Sequence, residues 1–328
     1  LYLRHGYVPA PHCIFVGVRK LQPGCLLTIE ADAARTEPRR WWNLAEVATG
    51  RDRDPFAGSP DEAVDTLGKL MEAAVARRMI ADVPLGAFLS GGVDSSAVVA
   101  LMQQAGSRPV KTFSIGFAEE GFNEADHAAA VARHLGTDHT DLVLTPAESR
   151  EVIPLLPGMC AEPFADPSQI PTFLVSRLAR RDVTVSLSGD GGDELFAGYH
   201  RYAWGAALEE RAAAFPSWAL GTGATLVRAL PVGLWDAILR RAAAFDSGGR
   251  AFDLTGDRLH KLAGVLKGRD FADRYRRLVS SWEHPAKVVV GGGERPTALT
   301  GLRDDPAGLG TCLLYTSDAA DESSRGGG

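Results

Sequence analysis

Two short segments of the 328-residue sequence combine glycines, hydroxyls and carboxylates at spacings suited to phosphate chemistry. The first is Ser90-Gly91-Gly92-Val93-Asp94-Ser95-Ser96, which lies between an apolar run and a helix-like run. Its glycines let the backbone approach an anion, its hydroxyls can donate hydrogen bonds, and a helix start offers free N–H groups. A carboxylate at Asp94 would repel a bare phosphate unless a divalent cation lay between them. The segment therefore predicts a strand-to-helix turn that binds pyrophosphate and Mg²⁺.

The alternative for this segment is an ordinary turn between a strand and a helix. In that case the glycines only bend the chain, and Asp94 or Ser95 caps the helix. A Walker loop is excluded, because no Gly-x-x-x-x-Gly-Lys-Ser/Thr pattern occurs in the sequence.

The second segment runs from Ser188 to Glu194 and places Asp190, Asp193 and Glu194 among three glycines. These acids would repel one another unless a cation is present. One carboxylate from each segment, Asp94 and Asp193, could hold Mg²⁺ on the β- and γ-phosphates of a nucleotide. An EF-hand is excluded because its D-x-D-x-D-G spacing is missing. A solvated acidic turn remains the structural alternative.

The elements that would position these segments follow from the surrounding pattern. Short β-rich runs alternate with longer helical runs, which predicts βαβ units and a parallel sheet flanked by helices. We predict strands over 85–90, 110–116, 138–144 and 183–188, and helices over 60–80, 95–105, 123–135, 146–156 and 170–181. The helix at 60–80 begins with the capping box Ser59-Pro60-Asp61-Glu62, and its apolar spacing predicts packing on the sheet. Because such sheets bind ligands at strand carboxyl ends, the two segments should converge.

Composition and charge narrow the classes of function. The chain is 45% hydrophobic and 23% charged, and its formal net charge is −6 without a Lys/Arg-rich run. We therefore expect no nucleic-acid partner. No membrane is expected either, since no apolar stretch approaches the roughly 18 residues of a span. The four cysteines lack a C-x-x-C spacing, which favours a reducing compartment and thus a cytoplasmic location.

Both segments together resemble one protein family. The SGGxDS pattern is similar to the PP-loop of ATP pyrophosphatases, which cut ATP between its α- and β-phosphates. The run SGDGGDELFAGY at 188–199 resembles the asparagine synthetase branch of that superfamily. The resemblance covers roughly residues 1–310 and is densest over 82–202. It implies an α/β, Rossmann-like fold of the adenine nucleotide α-hydrolase type, followed by a C-terminal helical region over 200–290.

The resemblance also implies roles for individual residues. Asp190 would be the catalytic residue that supports formation of a β-aspartyl-adenylate, and Asp94 and Asp193 would be the Mg²⁺ ligands. Asp190 stands where relatives have Glu or Asp, and its shorter side chain allows a water-mediated contact. The positions implied to contact ATP are Leu89, Ser90, Gly91, Gly92, Asp94, Ser95, Ser96, Ile115, Ser188 and Gly189.

A domain organisation is implied in the same way. Residues 1–30 resemble the end of a glutaminase domain, and the Arg-, Asp-, Pro- and Gly-rich stretch 31–58 is interpreted as a linker. Residues 59–311 resemble a truncated synthetase domain. The segment 312–328 resembles the translation of a sequencing adaptor. The family's glutaminase nucleophile, an N-terminal cysteine, has no counterpart here, so Cys13 and Cys25 are not expected to be catalytic.

The implied activity is that of a glutamine-hydrolysing asparagine synthase, a ligase. It would convert aspartate, ATP and glutamine-derived ammonia to asparagine, AMP and pyrophosphate, with ATP and Mg²⁺ as cofactors. The chain itself is expected to be inactive or to use ammonia only, and a homodimer is one assembly the resemblance allows. Two alternatives stay open. One is another amide-forming synthetase of the same fold, such as a β-lactam synthetase-like or lasso-peptide cyclase-like enzyme, and the other is nucleotide binding alone.

Overall fold

The computed structural model describes residues 1–30, 37–43, 46–47, 56–117, 125–196, 198–245 and 255–297. The described residues form two compact units, one within residues 50–196 and one made of residues 1–47 and 198–297. The segment 312–328 and most of the predicted linker at 31–58 lie outside the described residues.

The strands of the described residues, in chain order, are β1 (Cys25–Leu26), β2 (Arg39–Arg40), β3 (Leu85–Phe88), β4 (Lys111–Phe117), β5 (Asp138–Leu144) and β6 (Val185–Leu187). The helices are α1 (Tyr2–His5), α2 (Pro60–Arg78), α3 (Val93–Ala105), α4 (Ala125–Leu135), α5 (Pro146–Val152), α6 (Leu156–Met159), α7 (Gln169–Ala179), α8 (Gly192–Phe196), α9 (His200–Ala213), α10 (Ser217–Ala229), α11 (Val232–Phe245), α12 (Gly256–Leu266) and α13 (Phe271–Val279). Single 3₁₀ turns occur at Ile153–Leu155 and Pro285–Lys287.

The unit of residues 50–196 is built on a parallel sheet with the strand order β5-β4-β3-β6. Ala87 in the central strand β3 pairs with Thr112 on one side and with Leu187 on the other. The chain moves outward from β3 to β4 and β5, then returns to the opposite side of β3 with β6. The carboxyl ends of β3 and β6 therefore form the topological switch point of the sheet, where doubly wound sheets bind ligands.

Both faces of this sheet are covered by helices. On one face, Ala87 and Leu89 pack with Val99 and Met102 of α3 and with Ala128 of α4. On the other face, α7 packs against β4, and its Leu178 and Leu174 enter two further apolar clusters. Burial on both faces explains why β3 and β4 are apolar along most of their length. The predicted fold class, a parallel sheet flanked by helices, is confirmed.

The predicted helix at 60–80 is confirmed as α2, and its capping box is present. The Ser59 hydroxyl accepts from the Glu62 N–H at 3.3 Å, and the Glu62 carboxylate accepts from the Ser59 N–H at 2.7 Å. Packing on the sheet holds only for the C-terminal part, where Val75 is buried, whereas Val64 and Leu70 are 67% and 64% exposed. α2 packs on α3 but is longer, with 19 residues against 13, so its first turns extend beyond that contact.

Several predicted boundaries differ from the structure by one to three residues, as at β6 and α7. Two further differences have local reasons. The helix predicted over 146–156 is instead α5, a 3₁₀ turn and α6, because Pro154 and Pro157 cannot donate the main-chain hydrogen bonds of a continuous helix. The strand predicted over 85–90 ends at Phe88, although the N–H of Leu89 still donates to the carbonyl of Phe113 at 2.9 Å.

The second unit contains the predicted helical region. Helices α9–α13 span His200–Val279, with residues 246–254 outside the description. Arg274 of α13 forms an ion pair with Glu209 of α9, and the buried Arg4 forms one with Glu294. Among the described residues, no helix is long and apolar enough to cross a membrane.

Candidate functional site

The loop from β3 to α3 needs glycine at position 91 for two reasons. Gly91 has a φ of 80°, a backbone conformation that side-chain-bearing residues rarely adopt. A Cβ at this position would also lie 2.7 Å from the main-chain nitrogen of Ala128 and 2.9 Å from the Cβ of His127. The first turn of α4 therefore packs directly against the loop.

Serine hydroxyls hold the shape of this loop. The buried Ser95 hydroxyl lies 2.9 Å from the hydroxyl of Ser90 and accepts from the Ser90 N–H at 3.2 Å. The Ser90 hydroxyl in turn accepts from the Gly92 N–H at 3.3 Å. The Ser96 hydroxyl is buried and has no hydrogen-bond partner in the described part of the chain. The loop is thus fixed by its own side chains, while one donor beside it stays unused.

The loop from β6 to α8 contacts the first loop through two glycines. A Cβ at Gly189 would lie 2.7 Å from the main-chain nitrogen of Ser95, and a Cβ at Gly192 would lie 2.5 Å from Cγ of Asp94. Either side chain would therefore force the two loops apart. The predicted convergence of the two segments at one edge of the sheet is what the structure shows.

The carboxylates of the two loops are close enough to interact. Burial raises the pKa of Asp94, and the negative charges of Asp193 and Glu194 raise it further. Glu194 is 7% exposed, Asp193 is half-buried, and Asp190 is exposed. The hydroxyl of Ser188 donates to the carboxylate of Asp190 at 3.0 Å, which orients that side chain. Asp94 and Asp193, paired from the sequence, are thus brought together with a third acid.

The two remaining predicted positions lie at the base of the site. Leu89 is 1% exposed and packs into the core, so its main chain alone can face a ligand. Ile115 is half-buried in β4, the strand next to β3, and contacts the cluster of Leu144 and Leu174.

Asp94 and Asp193 form a donor set that suits Mg²⁺ held on phosphates. Within the described ranges, no group of three His, Cys, Asp or Glu side chains has the arrangement of a metal site. Mg²⁺, however, commonly takes only one or two carboxylates and completes its shell with phosphate oxygens and water. Cation binding also fits the raised pKa of Asp94, because a positive charge would relieve the repulsion among the carboxylates.

Two residues beside the site received no role from the sequence. Glu194 belongs to the second segment, and only its burial beside Asp94 separates it from an ordinary helix acid. His127 carries no sequence signal, because its approach to Gly91 depends on how α4 packs in three dimensions.

The family model and the curated relatives that match this chain agree on one family. The asparagine synthase family model matches residues 66–323. A putative glutamine-hydrolyzing asparagine synthetase of Mycobacterium tuberculosis is 42% identical over 202 residues, which are 60% of this chain and 29% of that protein. Glutamine-hydrolyzing asparagine synthetase 1 of Bacillus subtilis is 35% identical over 201 residues, which are 61% of this chain and 30% of that protein.

This chain therefore spans about 30% of the length of these curated relatives. Among solved structures, an NH3-dependent NAD synthetase from Campylobacter jejuni aligns with a TM-score of 0.31 and 14% identity, covering 41% of this chain and 60% of that one.

Proposed function

The chain belongs to the asparagine synthase family, and from that premise we propose that it carries the ATP-using site of a glutamine-hydrolysing asparagine synthetase. The observation that carries the proposal is the contact between the two glycine-rich loops at the switch point of the sheet. There Gly189 and Gly192 touch the backbone and the carboxylate of Asp94. A structural turn would not require two loops, 98 positions apart, to meet through glycines beside the half-buried Asp94 and Asp193 and the buried Glu194.

The proposed reaction has two steps. The side-chain carboxylate of aspartate attacks the α-phosphorus of ATP, forming β-aspartyl-AMP and releasing pyrophosphate. Ammonia then attacks the activated carbonyl carbon, and AMP leaves with the bonding electron pair while the nitrogen loses a proton. The protein's part is to position the reactants and to offset the charge on the leaving pyrophosphate. In the whole protein, ammonia would come from glutamine.

The first loop would bind the β- and γ-phosphates. The glycine backbone of this loop could approach an anion, α3 begins directly after Gly92, and the unused Ser96 hydroxyl could donate to a phosphate oxygen. Ser90 and Ser95, which hydrogen-bond each other, would keep the loop in shape before the ligand arrives. Ser188 and Gly189 would extend the site along the second loop, and Leu89 and Ile115 would border the adenosine.

Asp94 and Asp193 would hold Mg²⁺. A bound Mg²⁺ would supply positive charge that stabilises the leaving pyrophosphate. Asp190, held by the Ser188 hydroxyl and exposed to solvent, would be the catalytic residue that supports formation of the β-aspartyl-adenylate. The expected cytoplasmic location belongs to the same proposal.

A product assay tests this function. The chain is incubated with Mg²⁺, ATP, aspartate and ammonium, and AMP, pyrophosphate and asparagine are measured by chromatography. We expect pyrophosphate release that requires aspartate, with a matching loss in the Asp190→Asn variant. Formation of ADP and phosphate would contradict the proposal.

Two other outcomes of this assay would favour a different function. Pyrophosphate release that ignores aspartate but responds to another carboxylic acid would favour an amide-forming synthetase with a different acceptor. Mg²⁺-dependent ATP binding without any turnover would leave nucleotide binding as the function of this chain.

A further inference from the structure

The unit made of residues 1–47 and 198–297 contains a cavity of about 740 Å³ that is open to solvent. Its walls come from residues between Leu1 and Arg19 and from Gly293 and Arg295. This volume lies within the range of about 300–1,000 Å³ that is typical of small-molecule sites. None of the lining residues belongs to the proposed ATP site, so the cavity is a separate place where a ligand could bind.

Hydrogen bonds to main-chain carbonyls give the first wall a fixed shape. The N–H of Val18 donates to the carbonyl of Phe15 at 3.3 Å, which closes a turn, and the N–H of Lys20 donates to the carbonyl of Pro11 at 3.1 Å. The side chain of Lys20 also donates to the carbonyl of Val8 at 2.5 Å. This wall is therefore ordered before any ligand arrives.

Side-chain contacts attach the second wall to the first. The buried Arg4 forms an ion pair with Glu294, and the ring of His12 donates to the carbonyl of Pro296 at 2.8 Å. The two contacts precede and follow Arg295 in the sequence, so its main chain is held beside the first wall.

The first wall is apolar where a surface turn is usually polar. Ile14, Phe15, Val16 and Val18 line the cavity and are all exposed, and Val16 is fully exposed. Surface turns favour Gly, Pro, Asn, Asp and Ser instead. A ligand with an apolar body would remove this hydrocarbon surface from water, which is the main favourable contribution to apolar binding.

The permanently charged groups of the cavity are all positive. Arg19 and Arg295 line it, whereas no Asp or Glu does, and residues 1–29 contain neither acid. Glu294, next to Arg295 in the sequence, is already paired with Arg4. Within the described part of the chain, neither Arg19 nor Arg295 forms an ion pair. Two guanidinium groups therefore remain for an anion, and their planar donors match a carboxylate.

We propose that this cavity binds a small organic acid with an apolar body. Its carboxylate would contact Arg19 and Arg295, and its hydrocarbon part would pack on the turn of residues 14–18. The proposal goes beyond the ATP-using function and does not rest on it.

Calorimetry at about pH 8, where carboxylic acids are ionised, and at constant ionic strength measures the affinity of three probes. Sodium octanoate has both features, octanol has the apolar body alone, and acetate has the carboxylate alone. The variants are Arg19→Met, Arg295→Met and Phe15→Ser. Their matched controls are Arg108→Met, at an exposed arginine of the other unit, and Trp41→Ser, at an exposed aromatic residue outside the lining.

We expect the unmodified chain to bind octanoate more tightly than octanol, and acetate too weakly to measure. Arg19→Met and Arg295→Met should each weaken octanoate binding about fivefold, the size of an exposed ion pair, and leave octanol binding unchanged. Phe15→Ser should weaken the binding of both probes, because it removes apolar surface from the wall. Both control variants should match the unmodified chain.

Absence of octanoate binding to the unmodified chain would overturn the proposal. Equal affinities for octanoate and octanol, or octanoate affinity that survives in both arginine variants, would show that no carboxylate is recognised and overturn it as well. A loss in Trp41→Ser as large as that in Phe15→Ser would assign binding to exposed apolar surface in general. That result would also contradict a site in this cavity.

Discussion

Burial and neighbouring negative charges both act on the pKa of Asp94. Its folded-state pKa is raised, first by burial and then by Asp193 and Glu194. A carboxyl whose pKa is raised on folding stabilises the fold while protonated, and this contribution is lost as the pH rises through the folded pKa. At neutral pH without metal, the ionised Asp94 therefore opposes folding.

We predict that Asp94→Asn raises the melting temperature of the metal-free chain at neutral pH, because it removes this repulsion. Its advantage over the unmodified chain should shrink on acidification, because Asp94 then becomes protonated. Thermal unfolding followed by circular dichroism in EDTA measures both effects. The control is Asp61→Asn, an exposed acid in the first turn of α2, which should not raise the melting temperature. A lower melting temperature for Asp94→Asn would contradict this account of its charge.

His139 offers a second test at the residue scale. Its ring nitrogens lie 2.9 Å from the Thr112 hydroxyl and 3.2 Å from the Ser114 hydroxyl, and both hydroxyls belong to buried residues. Burial lowers the pKa of His139, with Asp141 acting in the opposite direction. The unfolded chain therefore binds more protons than the folded chain just below about pH 6.5, and stability falls as the pH falls through that range.

We predict that the urea midpoint decreases between about pH 7 and about pH 5.5, and that His139→Gln flattens this decrease. His134→Gln, at an exposed position on α4, should leave it unchanged. An unaltered pH dependence in His139→Gln would show that His139 does not titrate in this way.

At the scale of elements, the contact between the two loops depends on glycine. We predict that Gly192→Ala weakens Mg²⁺-dependent ATP binding at least about tenfold, because its Cβ would overlap the carboxylate that is proposed to bind the metal. Gly68→Ala is the matched control, since a Cβ there meets nothing within 4 Å. It should keep ATP affinity and stabilise α2 by up to about 1 kcal/mol. Equal ATP affinity in both variants would contradict the contact.

Elements were predictable from sequence where the signal was local. The capping box fixed the start of α2, and the strand predicted over 138–144 matches β5. Features that depend on three-dimensional packing were not predictable from the sequence. Examples are the exposure of the first half of α2 and the contact of His127 with Gly91. The glycines and acids of the site could be identified from the sequence, because the residue types and spacing within each loop already indicate phosphate and cation binding. Their mutual contact required the strand order.

For the whole molecule, that strand order is the decisive feature. With the order β5-β4-β3-β6, β6 returns beside β3, so the loops after residues 88 and 187 leave the same edge of the sheet as neighbours. The alternation of strands and helices predicted a parallel sheet but could not say which strands adjoin. The central claim is therefore that two distant loops form one Mg-ATP site.

The most direct measurement of that claim is ATP affinity by calorimetry, with Mg²⁺ and with EDTA, for the unmodified chain, Asp94→Asn and Asp193→Asn. A shared cation predicts that the unmodified chain binds ATP more tightly with Mg²⁺. It also predicts that either substitution removes most of this gain, and that the double variant loses little more, since the two losses are not additive within one site. Mg²⁺-independent binding, or a gain that survives in Asp193→Asn, would contradict a single site built from both loops.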